Sequence, residues 1–125
     1  HCAGLGALSP ALATRPARWQ LAADTHFLAF VDLVSQARPL LGRGSGVVAL
    51  TSLGTTRVTP GYASIAAAKG ALETSVRYLA AELAADGVTV NAVCGGPVET
   101  DSLRSFAFFP AMVEESRRRL CGRMG

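Results

Sequence analysis

The sequence predicts an α/β fold built around a parallel β-sheet. Residues 47–51 and 88–93 are short, largely apolar runs with β-branched side chains, a pattern typical of strands buried on both faces. Between them, apolar side chains recur at helical spacing over residues 59–85. A strand, a long helix and a second strand predict a right-handed crossover between parallel strands. Ligands of such sheets bind beyond the carboxyl ends of the strands.

Length and composition limit the possible classes. The 125 residues suffice for one modest domain, and 50% of them are apolar, enough for a core. Charged residues or glycines interrupt every apolar stretch well before the ~18 residues of a membrane span. The net charge of +3 is spread over scattered arginines without interleaved aromatics, so no nucleic-acid partner is expected. Three distant cysteines lack metal-ligand spacing, which predicts no metal site and fits a reduced, cytoplasmic setting.

The first part of the chain predicts a coil and a long helix. Residues 1–9 are a glycine-rich coil, suited to pass close to a ligand. Thr14 and Pro16 form a helix-start signature, and Arg38-Pro39 ends the helix, which we expect over residues 16–36. Its apolar positions at helical spacing are Trp19, Leu21, Ala22, Phe27, Leu28, Phe30, Val31 and Val34.

The second long helix is expected to start at Thr59-Pro60 and to stop at Asp86-Gly87. Its predicted buried side chains are Ile65, Ala68, Leu72, Val76, Leu79, Ala80 and Leu83. After Thr100 the sequence predicts a loop or short helices and a final amphipathic segment, 112–120. Phe106, Phe108 and Phe109 cluster there, either to line an apolar pocket or to cover the sheet edge or a neighbouring subunit.

Tyr62 and Lys69, the only lysine, lie seven residues apart at the start of this helix. Seven residues span about two helical turns, or roughly 10 Å, and return to nearly the same face. An ammonium group near a phenol favours the phenolate and makes the phenol a better proton donor. The alternative is a ring on the helix surface beside a solvated lysine. Ser52 and residues 94–100 directly follow the two strands. Because the start of the helix can fold back to the same edge of the sheet, we expect Tyr62 and Lys69 to face a crevice at the strand ends.

Over residues 46–100, a strand, a serine loop, a Tyr/Lys helix, a second strand and a Gly-Pro loop follow one another. In this order the chain resembles the C-terminal half of the short-chain dehydrogenases/reductases. The resemblance implies a partial Rossmann-like doubly wound parallel sheet, with residues 1–125 as the catalytic half of an NAD(P)-binding domain. The N-terminal nucleotide-binding βαβ unit and the C-terminal end of the fold are not recognised. We therefore expect this piece alone to be inactive and to bind a dinucleotide weakly.

The resemblance also assigns roles. Tyr62, Lys69 and Ser52 match the catalytic residues: Ser52 hydrogen-bonds the substrate oxygen, and Lys69 holds the nicotinamide ribose and tunes the tyrosine. The residues matched to the cofactor, NAD(H) or NADP(H), are Ala3, Gly4, Lys69, Gly95, Gly96, Pro97, Val98 and Thr100. His26 stands where the family often has an asparagine of a proton relay. An imidazole can serve such a relay; the alternative is a helix residue packed at a subunit contact.

The spacing between Tyr62 and Lys69 favours one reaction type within the family. The commoner family members place three residues between Tyr and Lys, and here that position is Ile65. Six intervening residues resemble the enoyl-thioester reductases, and residues 51–54, 78–83 and 122–124 resemble the bacterial enoyl-[acyl-carrier-protein] reductase III type. A second tyrosine, frequent in that branch, is missing, and Val58 stands near its place. In enoyl reduction the charge develops on the thioester oxygen, several bonds from the carbon that accepts hydride, so the donor must lie further out.

The expected function is NAD(P)H-dependent reduction of the 2,3 double bond of enoyl thioesters of acyl-carrier protein or coenzyme A, in fatty-acid synthesis. Two alternatives stay open: a ketone reductase or alcohol dehydrogenase of the same fold, and a catalytically silent fragment that only makes contacts. The two long helices resemble those through which family members form homodimers and homotetramers.

Overall fold

A computed structural model describes residues 1–6, 8–96, 98–104, 106 and 109–118. It consists of two compact units, His1–Cys94 and Gly95–Gly125. The predictions for Pro97, Phe108 and residues 119–125 lie outside the described residues. The first unit contains the predicted strands and long helices.

The first long helix is continuous over residues 16–37, as predicted, but it is not α-helical throughout. Helix α1 (Pro16–Ala23) runs into a π-helical turn (Asp24–Leu28), and α2 (Ala29–Ala37) follows. A π turn takes more residues per turn than an α-helix and so changes which side chains face inward. The buried positions of this helix are Ala22, His26, Phe30 and Val34. Leu21 and Leu28, predicted on the apolar face, are 45% and 44% exposed, so that part of the prediction is wrong.

Strands β1 (Gly46–Leu50) and β2 (Thr89–Val93) pair in parallel, with Gly46 opposite Thr89 and Leu50 opposite Val93. Both agree with the predicted strands to within a residue. The ladder continues past β1, since the Thr51 N–H donates to the Val93 carbonyl at 2.9 Å. His1 lies along β1 in the manner of a parallel neighbour: its amine donates to the Val48 carbonyl, and its carbonyl accepts from the Leu50 N–H.

Helix α3 (Ala63–Leu83) makes the crossover between the two strands. It starts later than the predicted Thr59-Pro60, because a turn intervenes. The Tyr62 N–H donates to the Thr59 carbonyl at 3.1 Å, and Gly61 has φ +75°, a conformation suited to glycine. Tyr62 is thereby the N-cap residue of α3. The predicted stop is confirmed: a short 3₁₀ turn leads to Gly87 at φ +71°.

The core lies on one face of the sheet, where α3 and the first long helix pack. Its buried members are Phe30, Val34, Ala49, Leu72, Val76, Leu83, Val88 and Val90. Side chains on a strand alternate between faces, and the opposite face of the described sheet carries Val48, Leu50 and Val93 at 41–48% exposure. The prediction of strands buried on both faces is therefore wrong for the described residues, because both packed helices lie on the same side.

The described part of the second unit contains two short helices, α4 (Asp101–Arg104) and α5 (Phe109–Arg117), as the sequence predicted after Thr100. The Thr100 hydroxyl caps the first of them by accepting from the Leu103 N–H at 3.2 Å. Arg104 forms ion pairs with Glu99 and Asp101 at 3.0 and 3.3 Å. Within the described ranges, no helix is both long and apolar enough to cross a membrane.

Candidate active site

Lys69 is buried at the carboxyl end of β1. Its side chain is carried by the second turn of α3, and the ammonium Nζ donates to the carbonyl of Leu50, the last residue of the strand, at 2.5 Å. Only 6% of the residue is exposed. Burial lowers the pKa of Lys69 below its ordinary value, and nearby Cys2 opposes this shift. The alternative of a solvated surface lysine is therefore wrong.

Gly54 brings Ser52 and Tyr62 together. The Tyr62 ring lies so close to this glycine that a Cβ atom there would be 2.6 Å from the ring carbons Cδ1 and Cε1. The same Cβ would be 3.5 Å from Ser52 Oγ. Ser52 Oγ accepts from the Gly54 N–H at 3.2 Å, which fixes the hydroxyl beside the ring. The predicted proximity of the serine and the tyrosine at the strand end is thus visible in the structure.

Tyr62 and Lys69 do not bond each other directly. In the part of the chain that the structure describes, the Tyr62 hydroxyl and Lys69 Nζ share no hydrogen bond, and Nζ instead bonds the backbone two residues before Ser52. The N-cap position keeps the tyrosine ring at the entrance of α3, while Lys69 points down towards β1.

His26 lies inside the π turn and faces the N-terminal coil. It is 3% exposed, and its ring nitrogen Nε2 is 2.9 Å from the Leu5 carbonyl. Burial lowers the pKa of His26; the Leu5 and Ala3 carbonyls oppose the shift, and the Lys69 charge adds to it. The neutral ring then donates from Nε2, and Nδ1 is buried without a hydrogen bond to the described residues. Because His26 is buried within this chain, the subunit-contact alternative is wrong.

Glu73 belongs to the site and was missed by sequence reasoning. Its Oε1 accepts hydrogen bonds from the Thr51 hydroxyl at 2.5 Å and from the Thr55 hydroxyl at 3.0 Å. It therefore ties α3 to both ends of the loop that carries Ser52. A signal was present: Glu73 lies four residues after Lys69, and residues at this spacing share a helix face.

Ile65 fills the position that a tyrosine takes in the commoner family pattern. It is 5% exposed and packs on the N-terminal coil, where a Cβ on Gly6 would be 2.3 Å from Ile65 Cδ1. Val58, near the expected place of a second tyrosine, is 99% exposed.

The residues matched to the cofactor are divided between the two units. Ala3 and Gly4 lie in the exposed coil, and a Cβ on Gly4 would be 3.3 Å from His26 Cε1. Gly95, Gly96, Val98 and Thr100 are exposed in the second unit. Among the described residues, no three His, Cys, Asp or Glu side chains are grouped so as to hold a metal ion.

A parallel βαβ unit with serine, tyrosine and a buried lysine at the end of its first strand defines a domain of the short-chain dehydrogenase/reductase class. Within that class, the family model described as "Enoyl-(Acyl carrier protein) reductase" matches residues 1–125. The chain belongs to this family.

Individual relatives agree with the family match. The chain is 37% identical over 105 residues to an NADH-dependent enoyl-[acyl-carrier-protein] reductase of Enterococcus faecalis. The aligned region covers 84% of this chain and 42% of the relative. It is 46% identical over 77 residues to 1-cyclohexenylcarbonyl-CoA reductase of Streptomyces collinus, covering 62% and 28%. The crystal structure of the Bacillus cereus enoyl-acyl carrier protein reductase with NADP+ and indole naphthyridinone superposes with TM-score 0.90 at 28% identity, covering 98% of this chain and 50% of that one. The chain thus spans half or less of the length of these proteins.

Proposed function

We propose that residues 1–125 are the catalytic half of an NAD(P)H-dependent reductase of 2-enoyl thioesters that acts in fatty-acid synthesis. The observation that carries the proposal is the placement of the tyrosine. Ile65 occupies the three-residue position and is packed on Gly6, whereas Tyr62 stands at the N-cap of α3 against Gly54. The acid is therefore set back almost one helical turn from where carbonyl reduction needs it.

The proposed chemistry follows from where the charge develops. Hydride addition to the β-carbon of an enoyl thioester leaves negative charge on the thioester oxygen. In our proposal, the Tyr62 hydroxyl donates a hydrogen bond to that oxygen and stabilises the enolate, with Ser52 as an auxiliary donor. A donor aimed at a developing oxyanion lowers the barrier by about 3 kcal/mol. Buried Lys69 contributes a positive charge to the same strand end.

The residues of the first unit fit a nicotinamide cofactor. The bound cofactor would supply the hydride. An ammonium group has three donors, and Lys69 uses one on the Leu50 carbonyl, which leaves two for ribose hydroxyls. The exposed backbone at Ala3 and Gly4 would accept a flat ligand at close range. From the family pattern alone, further contacts to the cofactor are proposed for Gly95, Gly96, Pro97, Val98 and Thr100.

The full-length protein tests this function. Loss of reduced-nicotinamide absorbance is followed with crotonyl thioesters of acyl-carrier protein and of coenzyme A, with NADH and with NADPH, and a 3-ketoacyl thioester serves as the comparison. We expect faster turnover of the enoyl thioesters. Tyr62→Phe should lower kcat by about 10²–10³-fold, the effect of losing one oxyanion donor, and a Tyr62→Phe enzyme with unchanged kcat would refute the assigned role.

A second candidate is reduction of a ketone or oxidation of an alcohol on the same fold. It is favoured by the position of Ser52 Oγ beside the Tyr62 ring, since a serine and a tyrosine together can polarise a carbonyl. Preferential turnover of the 3-ketoacyl thioester would select it. Absence of turnover on every substrate would instead favour a catalytically silent protein.

We further propose that the full-length protein is a cytoplasmic homodimer or homotetramer that contacts itself through the two long helices. Leu33 and Tyr78, one on each helix, are 54% and 68% exposed and offer apolar surface for such contacts. Light scattering of the full-length protein measures the assembly, and a monomer at micromolar concentration would contradict it.

A further inference from the structure

Glu73 connects α3 to the loop that follows β1. One of its two carboxylate oxygens, Oε1, accepts hydrogen bonds from two threonine hydroxyls, those of Thr51 at 2.5 Å and Thr55 at 3.0 Å. Hydrogen bonds to a carboxylate are shorter and about twice as strong as those between neutral groups. The carboxylate thus bonds the loop on both sides of Ser52.

Helix α3 therefore bonds the end of β1 through two side chains, one helical turn apart. Lys69 bonds the carbonyl of Leu50, and Glu73, one helical turn later, bonds the side chain of the next residue, Thr51. The Thr55 hydroxyl also lies 2.9 Å from the Ser52 carbonyl. Because that hydroxyl has one hydrogen, the carboxylate and the carbonyl share it or compete for it.

The hydrogen bonds of Glu73 also restrain the surroundings of Ser52 and Tyr62. Ser52 lies between the two threonines, its Oγ accepts from the Gly54 N–H, and the Tyr62 ring rests on Gly54. A shift of residues 51–55 would consequently move the serine hydroxyl and the surface beneath the tyrosine ring together.

We propose that Glu73 is a positioning residue, which acts through Thr51 and Thr55 to hold Ser52 and the Tyr62 ring in place for turnover. The inference rests on the proposed function, because it assigns to Glu73 a part in that reaction. What the loop requires from Glu73 is first an acceptor oxygen at this place; the negative charge strengthens the two bonds but is not essential to them.

The test compares Glu73→Ala with Glu73→Gln in the full-length protein, with Glu82→Ala, at an exposed position of the same helix, as the matched control. We expect Glu73→Ala to lower kcat by about 10–100-fold, as misplacement of reacting groups by about an ångström does. The KM for the reduced nicotinamide should stay within about twofold, since Lys69 keeps its bond. Glu73→Gln retains an acceptor oxygen and should stay within about threefold of the wild-type kcat, and Glu82→Ala should match the wild type.

A second readout is independent of activity. Hydrogen exchange of the backbone amides in residues 51–58 should accelerate in Glu73→Ala and return to the wild-type rate in Glu73→Gln. Thr55→Val, which removes one hydroxyl with little change of shape, should accelerate exchange in the same segment, and it carries the test if Glu73→Ala does not fold.

Three results would overturn the inference: wild-type kcat in Glu73→Ala, loss of kcat without faster exchange of the loop, or a Gln variant as impaired as the Ala variant. If the wild-type protein reduces no enoyl thioester, the proposed function fails, and the exchange experiment still decides whether Glu73 holds the loop.

Discussion

Gly54 is the position where one added methyl group would displace Tyr62, the proposed hydrogen-bond donor to the substrate. A Cβ atom at this residue would lie 2.6 Å from two carbons of the Tyr62 ring, whereas carbon atoms in ordinary contact are separated by about 3.5 Å or more. The backbone itself tolerates alanine, since Gly54 is not among the glycines with positive φ. In Gly54→Ala the ring must therefore move by roughly 1 Å, the difference between these two distances.

We expect this shift to reduce kcat by about 100-fold, because a misplacement of about 1 Å in a reacting group has that effect. Overpacking should also lower the free energy of unfolding by about 1–3 kcal/mol. Steady-state kinetics with a crotonyl thioester and urea unfolding of the full-length protein measure the two effects separately. The KM for the cofactor should change little, since Lys69 is not displaced.

Two other glycines serve as controls, because a Cβ at Gly42 or Gly70 would meet no atom within 4 Å. Gly42→Ala should leave kcat unchanged. Gly70→Ala, inside α3 and next to Lys69, should also retain kcat and should stabilise the helix by about 1 kcal/mol. If Gly54→Ala kept kcat and stability within the range of these controls, the contact between Gly54 and the Tyr62 ring would not control the position of the phenol, and the argument would be refuted.

Two further predictions concern the buried basic side chains, His26 and Lys69. The pKa of His26 is lowered in the folded state, mainly by burial, so the unfolded chain binds the proton more readily; the free energy of unfolding should fall as the pH drops below about 6.5, by at most about 1.4 kcal/mol per pH unit. Urea unfolding between pH about 7.5 and about 5 measures this slope, which should be smaller in His26→Gln, and equal slopes in the two proteins would contradict the assignment. The pKa of Lys69 is likewise lowered by burial, so the charged ammonium disfavours folding at pH values below its folded-state pKa. The free energy of unfolding should rise as the pH increases from that value to the unfolded-state pKa of about 10.4. Lys69→Met should then be no less stable than the wild type near neutral pH while its turnover falls more than about tenfold, and a clear loss of stability would show that the bond to the Leu50 carbonyl outweighs the burial of the charge.

The sequence predicted those parts of the molecule that depend on local periodicity. Two apolar runs predicted β1 and β2 to within a residue, and apolar spacing with a proline start and a glycine stop predicted the long helices. The positions of Ser52, Tyr62 and Lys69 relative to the strands followed from the same order. For this reason the class of the domain could be recognised before any contact was known.

The buried face of the first long helix was predicted less well. Ideal α-helical spacing placed Leu21 and Leu28 inside, but they are 45% and 44% exposed, whereas His26, inside the π turn, is buried. A π turn has no simple apolar signature in the sequence, because its extra residue shifts the helical spacing only locally.

Tertiary structure alone decided how the Tyr62–Lys69 site is held together. The bonds from Glu73 to Thr51 and Thr55 join residues 22 and 18 positions apart, and Lys69 reaches a carbonyl 19 residues away. Likewise, only the packing of both helices on one side revealed that Val48, Leu50 and Val93 are partly exposed on the other side of the described sheet. A periodic pattern records which side chains prefer to be buried, whereas the partner that buries or bonds each of them is fixed only when distant segments meet.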